Sequence, residues 1–335
     1  MKMIKNIGLR IVGIALIFLA ANWIYKTYFF EDFLQDHGTL LYYQQNALDA
    51  DYLYYSASSE FSYDPENDTN QERITKLIGN HTDIPVKHVA EAAHHAGIFA
   101  PCVQQLNEGD VKGIVVVLNY RSFSPEWLES NNENSLLQSR TLYENRPVLI
   151  NRLFMSLNAY EQHSNEEREK RFLEMFNSWP LPLDPPKNTI ASWCAVEKYG
   201  DWTNPKRQLA DHFIKNYGFV LHDQSPRMSD FDLIAQYAKE RKLSLLYVLI
   251  PENIELAKEL LGNDIIQIMN QNRKFLMDRY DRPNDNQYVL DLMDLLKDEN
   301  FIDRKYPTEH YNFEGRNQVA QQVAGYLEKI ESQEK

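Results

Sequence analysis

Two cysteines, Cys102 and Cys194, are all that 335 residues contain, and no CxxC spacing occurs, so neither a zinc site nor a disulfide framework is indicated, leaving room for one bridge at most. Runs of lysine or arginine are absent, and 48 acidic side chains against 35 basic ones give a formal charge of −13 that repels phosphate backbones and excludes nucleic-acid binding. Internal repeats and low-complexity tracts are missing too, which removes solenoids and linker-like chains. His94 and His95 are neighbours in a loop. Such a pair alone is not a ligand pattern, so no metal and no cofactor is expected. What remains, 43% hydrophobic and 25% charged, suffices for a large globular core.

Residues 11–30, from Ile-Val-Gly-Ile-Ala-Leu-Ile-Phe to the aromatic end Tyr-Lys-Thr-Tyr-Phe-Phe, have the length and apolarity of a bilayer-spanning helix. Lys2, Lys5 and Arg10 precede the run and Glu31, Asp32 and Asp36 follow it. The positive-inside rule then predicts a single-pass anchor with a cytoplasmic amino terminus and an extracytoplasmic domain. A cleaved signal peptide is the alternative, with Leu19-Ala-Ala-Asn22 as its weak cleavage candidate. Beyond residue 30 the chain carries 31 basic and 48 acidic side chains, since Lys2, Lys5, Arg10 and Lys26 are the only charges before it.

Residues 1–30 are thus expected to be cytoplasmic tip and anchor, residues 31–50 a juxtamembrane connector, and residues 51–330 an α/β domain. Tyr52-Leu-Tyr-Tyr-Ser-Ala-Ser-Ser-Glu-Phe61 reads as a strand breaking into a serine loop, and Thr69-Asn-Gln-Glu72 as a capping box before a helix. Further strands are expected at 85–90, at Lys112-Gly-Ile-Val-Val-Val-Leu-Asn119, at Leu243-Ser-Leu-Leu-Tyr-Val-Leu-Ile250 and at 288–292. Helices are expected at 229–240, 254–279 and 315–330, with a helical insertion at about 128–235 interrupted by the proline-rich run 180–186. Unbroken aliphatic strands alternating with helices predict a mainly parallel sheet covered on both faces. Its site would lie beyond the carboxyl ends of the strands, gathering Ser59, the loop 94–97, Asn119 and residues 251–253 at one edge.

A serine hydroxyl needs a base, and His310, just ahead of the last helix, is the candidate. The blocks Ala57-Ser-Ser-Glu-Phe61, Gly97, Val-Val-Leu-Asn119 and His310-Tyr-Asn-Phe-Glu-Gly315 resemble, in order, those of the SGNH/GDSL hydrolase superfamily. The first is similar to the Gly-Ser-Ser-Glu-Leu variant of its lipoteichoic-acid D-alanylation branch. The resemblance implies a flavodoxin-like three-layer sandwich and makes Ser59 the nucleophile and His310 its base. The amides of Ser59 and Gly97 and the Asn119 side chain become the oxyanion donors. Two positions depart from the pattern: Ala57 replaces a glycine, and Pro307 stands where the family has its acid. Asp303 is the preferred substitute and Glu309 the other, with a serine–histidine dyad or an inactive descendant as the remaining readings.

The implied activity is that of an anchored extracytoplasmic serine esterase or O-acyltransferase whose substrate is an acylated surface glycan. Alternatives are a non-catalytic accessory subunit beside a multi-span membrane O-acyltransferase, and a glycan-binding domain. Besides the glycan, the bilayer is the expected partner, through residues 11–30.

Overall fold

The computed structural model describes residues 2–66, 68–160, 163–179, 181, 189–193 and 197–333. Cys194 and the proline-rich run, apart from Leu181, lie outside them. The chain opens with α1 (Lys2–Tyr28), in which Ile7–Tyr28 is long and apolar enough to cross a membrane and is not buried inside the molecule. The expected connector is not an open tether. It folds as α2 (Phe30–His37) and α3 (Thr39–Asn46), whose Phe30, Leu34, Leu40 and Leu41 are buried in the main core.

Five strands follow, within or overlapping the stretches expected to form them: β1 (Tyr52–Ser56), β2 (Val86–Ala90), β3 (Gly113–Leu118), β4 (Ser244–Leu249) and β5 (Gln287–Asp291). All neighbours are parallel, in the order β2-β1-β3-β4-β5. Between β1 and β2 lies α4 (Ile74–Ile78), and between β2 and β3 lies α5 (Ala96–Val103). From β3 to β4 the chain makes α6 (Pro125–Leu128), α7 (Asn131–Tyr143), α8 (Val148–Ser156), α9 (Asn165–Ser178), α10 (Ile190–Trp193), α11 (Pro205–Tyr217) and α12 (Met228–Glu240). The expected helix at 254–279 is two helices, α13 (Ile254–Leu261) and α14 (Asn263–Tyr280), because Gly262 between them takes φ +81°, where the helix cannot continue. The last element is α15 (Phe313–Gln333).

Strand residues alternate between two cores, as the pleat requires. Leu53, Tyr55, Ile114, Val116, Leu245 and Tyr247 join the larger core with α5, α12 and α14, whereas Tyr52, Tyr54, Val115, Val117, Leu246 and Val248 join the smaller one with α4 and α15. All six residues of β3 and of β4 are buried, and each large aliphatic among them contributes roughly 1.5–3 kcal/mol by leaving water. The chain leaves β1 toward β2 on one side and then adds β3 on the other, so the connections diverge at the β1/β3 boundary. In open parallel sheets that divergence creates a crevice at the carboxyl ends, and residues 57–60 and 119–121 border it here.

Candidate active site

β1 ends in a 3-10 turn, Ser58–Glu60, closed by Glu60 N–H to Ala57 O (3.2 Å) and Phe61 N–H to Ser58 O (3.2 Å). Ser59 is buried at 2% exposure, and its hydroxyl has no hydrogen-bond partner among the described residues. What pins the turn is Glu60. Its Oε1 accepts from the Thr75 amide (3.0 Å) and the Thr75 hydroxyl, capping α4, whose own N-cap residue Arg73 supplies no side-chain bond. The expected capping box at 69–72 does not form; the Asn70 side chain instead turns onto the Glu72 amide (2.8 Å). Burial raises the Glu60 carboxyl to about 7, against the lowering by Thr75, Arg73 and Arg316, and Glu60 Oε2 is unpartnered.

The loop after Ser59 meets the start of the last helix. Tyr63 stacks face to face on the His310 ring, with centroids 4.0 Å apart and planes within 1°. Behind this stack Asp68 takes the Arg316 guanidinium (2.7 Å), the Phe313 amide (3.1 Å) and the Ser62 hydroxyl (2.6 Å). Arg316, fully buried, also donates to the carbonyls of Glu72, Asn70 and Tyr311. Burial pushes the Asp68 carboxyl up, but the hydrogen bonds from Arg316 and Ser62 prevail and hold it below the ordinary range. The two segments that carry the expected nucleophile and base are thus clamped to each other.

No carboxylate among the described residues backs the His310 ring. Among the described residues it has neither a hydrogen bond nor an ion pair, and its backbone carbonyl is held by Ile302 N–H (3.0 Å). Asp303 spends its oxygens on its own loop, on the amides of Lys305 (2.9 Å) and Tyr306 (3.3 Å) and the Thr308 hydroxyl (3.3 Å). It reaches His310 only through space, where its charge and that of Glu309 raise the imidazole pKa. Burial and the Arg121 charge outweigh them, so the ring is held below the ordinary histidine range and is neutral at pH 7.

Glu309 points the other way. It forms a two-pronged bond with Arg121, Nε to Oε1 and Nη2 to Oε2, both 2.8 Å, at the end of β3. Glu252, beyond β4, lies in the same buried group and accepts from the Tyr217 hydroxyl at 2.6 Å. Burial and the Glu309 charge push its carboxyl far up, with the single Arg121 guanidinium set against both acids.

Asn119 ends β3 with its Oδ1 accepting the Ser122 amide (3.2 Å), which orients the side chain and leaves the Nδ2 donors unengaged among the described residues. The Ser59 amide is likewise free of a partner there. Gly97 is different: its amide, expected to donate to an oxyanion, donates to His95 Nδ1 at 3.1 Å. A Cβ at Gly97 would meet Arg227 Nη1 at 2.6 Å and Asp230 Oδ2 at 3.0 Å, so this position is glycine to admit an ion network. In it Arg227 joins Glu133 (2.8 Å) and Asp230 (3.1 Å), and His95 Nε2 lies 2.7 Å from Glu133.

No family model matches the chain, and no curated protein matches it. The geometry alone therefore bears on function. It brings Tyr63, next to the serine turn, onto His310, and joins Asn119's turn to the His310 segment through Arg121 and Glu309. It leaves Gly97's amide engaged and Asp303 off the histidine. Sequence reasoning passed over Glu60, Tyr63 and the Asp68–Arg316 clamp, and placed residues 251–253 at the edge without a role for Glu252. Their only signal was a carboxylate beside a serine turn and an arginine inside an apolar helix face.

Proposed function

We propose that the protein is a membrane-anchored, extracytoplasmic serine esterase or O-acyltransferase of the SGNH type, on a flavodoxin-like sheet, acting on an acylated surface glycan. One observation carries the reading: a neutral imidazole is stacked on the loop that follows an unpartnered, buried serine at the divergence of a parallel sheet. Ser59 Oγ attacks the acyl carbon while His310 takes its proton, giving a tetrahedral oxyanion. The Ser59 amide and Asn119 Nδ2 donate to that oxygen, each worth about 2.7–4 kcal/mol in comparable sites. Collapse expels the glycan oxygen, which receives the proton from His310 and leaves an acyl-serine. Water or a second hydroxyl, deprotonated by His310, then attacks the acyl-serine and frees Ser59. The Tyr63 stack takes over the orienting part of the absent acid, so the base operates as a dyad. Orientation follows from Lys2, Lys5 and Arg10 before the span and Glu31, Asp32 and Asp36 after it.

The unsupported imidazole and the engaged Gly97 amide favour one alternative, a non-catalytic subunit beside a multi-span membrane O-acyltransferase. Labelling of the full chain in detergent with a fluorophosphonate separates the two. Modification at Ser59 that vanishes in Ser59→Ala supports the enzyme; a folded sample that stays unlabelled rejects it.

A further inference from the structure

Helix α8 carries apolar side chains on its outer side as well as on its inner one. Its buried side holds Asn151, whose Nδ2 donates to Leu142 O (2.9 Å) and Glu144 O (2.7 Å), together with Met155. The outer side carries Ile150 and Phe154, half-buried, and Leu153 and Leu157, exposed at 44% and 73%. These four recur at three- and four-residue spacing, one continuous apolar stripe facing outward. A helix in water presents polar residues there.

The same helix is tied to the apolar span. Asn22, inside Ile7–Tyr28, accepts the Leu149 amide at 3.0 Å and so caps α8, whose own N-cap position, Pro147, cannot do so. That bond also explains an amide side chain in an otherwise apolar segment. Farther along, the Arg152 guanidinium lies 5.0 Å over the Phe33 ring, and that of Arg146 lies 4.9 Å over Phe154. At 1.5 Å per residue, Asn22 lies about 9 Å along α1 from Tyr28. Trp23 and Tyr28, exposed aromatics, mark this end as the interfacial belt. Interfacial helices sink roughly 5–10 Å into the headgroup and acyl boundary, the depth at which the Asn22 bond holds α8. Charge agrees: residues 145–160 contain Arg146 and Arg152 and no acid, in a chain that is otherwise strongly acidic.

We propose that α8 is a second membrane-contacting element, lying in the phospholipid headgroup region with Ile150, Leu153, Phe154 and Leu157 toward the acyl chains, and with Arg152 on it and Arg146 just before it supplying positive charge at that level. The inference rests on α1 spanning the bilayer. With both elements engaged, the α/β domain cannot swivel freely about its anchor, and its sheet edge is held at a fixed height above the lipid.

The test uses the full chain in phosphatidylcholine–phosphatidylglycerol liposomes with brominated acyl chains. A background variant Cys194→Ser, in which Cys102 is buried, carries one introduced cysteine at Leu153, Leu157, Ile17 or Leu173, labelled with an environment-sensitive fluorophore. Labels at Leu153 and Leu157 should be quenched several-fold more than one at Leu173, an exposed position on α9, and less than one at Ile17. Strong quenching at Ile17 with Leu157 no different from Leu173 overturns the proposal and leaves the anchor standing; it is also the result if a partner protein, and not lipid, covers the stripe. Absence of quenching at Ile17 overturns the anchor reading and this one with it.

Discussion

Replacing Glu60 by glutamine should stabilise the protein increasingly as pH rises from 4.5 to about 7 and leave it nearly unchanged below that window. Burial raises the folded-state carboxyl to about 7 from an ordinary 4.5. A group whose folded pKa is raised contributes stability that is fully present below its unfolded pKa and lost as pH climbs through the folded value. The window is therefore from 4.5 to about 7. At about 1.36 kcal/mol per pKa unit, the loss for the wild type amounts to about 3 kcal/mol by pH 8. Glutamine keeps the carbonyl that accepts from Thr75 and carries no charge, so it escapes that loss. Denaturant titrations of the full chain in detergent, followed by tryptophan fluorescence between about pH 5 and about pH 8, should show the variant's midpoint advantage growing with pH. A difference that does not change with pH, or a variant less stable than wild type at the alkaline end, would refute the argument that Glu60 is strained by its own charge.

Other consequences are as direct. Arg121→Met strands Glu309 and Glu252 in the interior without a cation, and should lower unfolding stability by about 3–5 kcal/mol; adding Glu309→Leu should restore most of the loss. Fluorophosphonate labelling of Ser59 should require neutral His310, so its rate should fall on acidification with a midpoint below about 6.5, since burial lowers the ring's pKa. Asp303→Asn removes a charge that raises that pKa and should move the midpoint further to acid. A midpoint at or above 6.5, or one that Asp303→Asn leaves in place, contradicts the electrostatics described here.

Elements whose burial is two-sided were legible in the sequence. The aliphatic runs at 113–118 and 244–249 could satisfy only a covered parallel strand, and the amphipathic stripe of α15 appears where its spacing put it. Elements fixed by a tertiary partner were not. Residues 31–50 are polar enough to pass for a connector, yet Leu34, Leu40 and Leu41 suffice to dock two short helices on the core. The helix at 74–78 has a capping signal in the preceding residues, but a carboxylate from fifteen residues earlier does the capping. In the site, Ser59 and Asn119 follow the carboxyl ends of neighbouring parallel strands because strand ends are set by topology, and Tyr63 brings His310 to the first of them. Side-chain pairing is set by neighbours that sequence distance conceals, as where Arg121 takes Glu309 and His95 takes Glu133.

The Asp68–Arg316 clamp has a consequence for biosynthesis. Its partners and the Phe313–Asp68 bond are separated by about 245 residues of chain. A nascent chain completes the serine turn early and stays without its histidine until synthesis has run on from Ser59 to residue 310. Any reactivity of Ser59 that draws on His310 thus switches on only when α15 docks. The same ordering makes the carboxyl-terminal helix a late, slow step of folding, since closing so long a loop must precede the contacts that reward it.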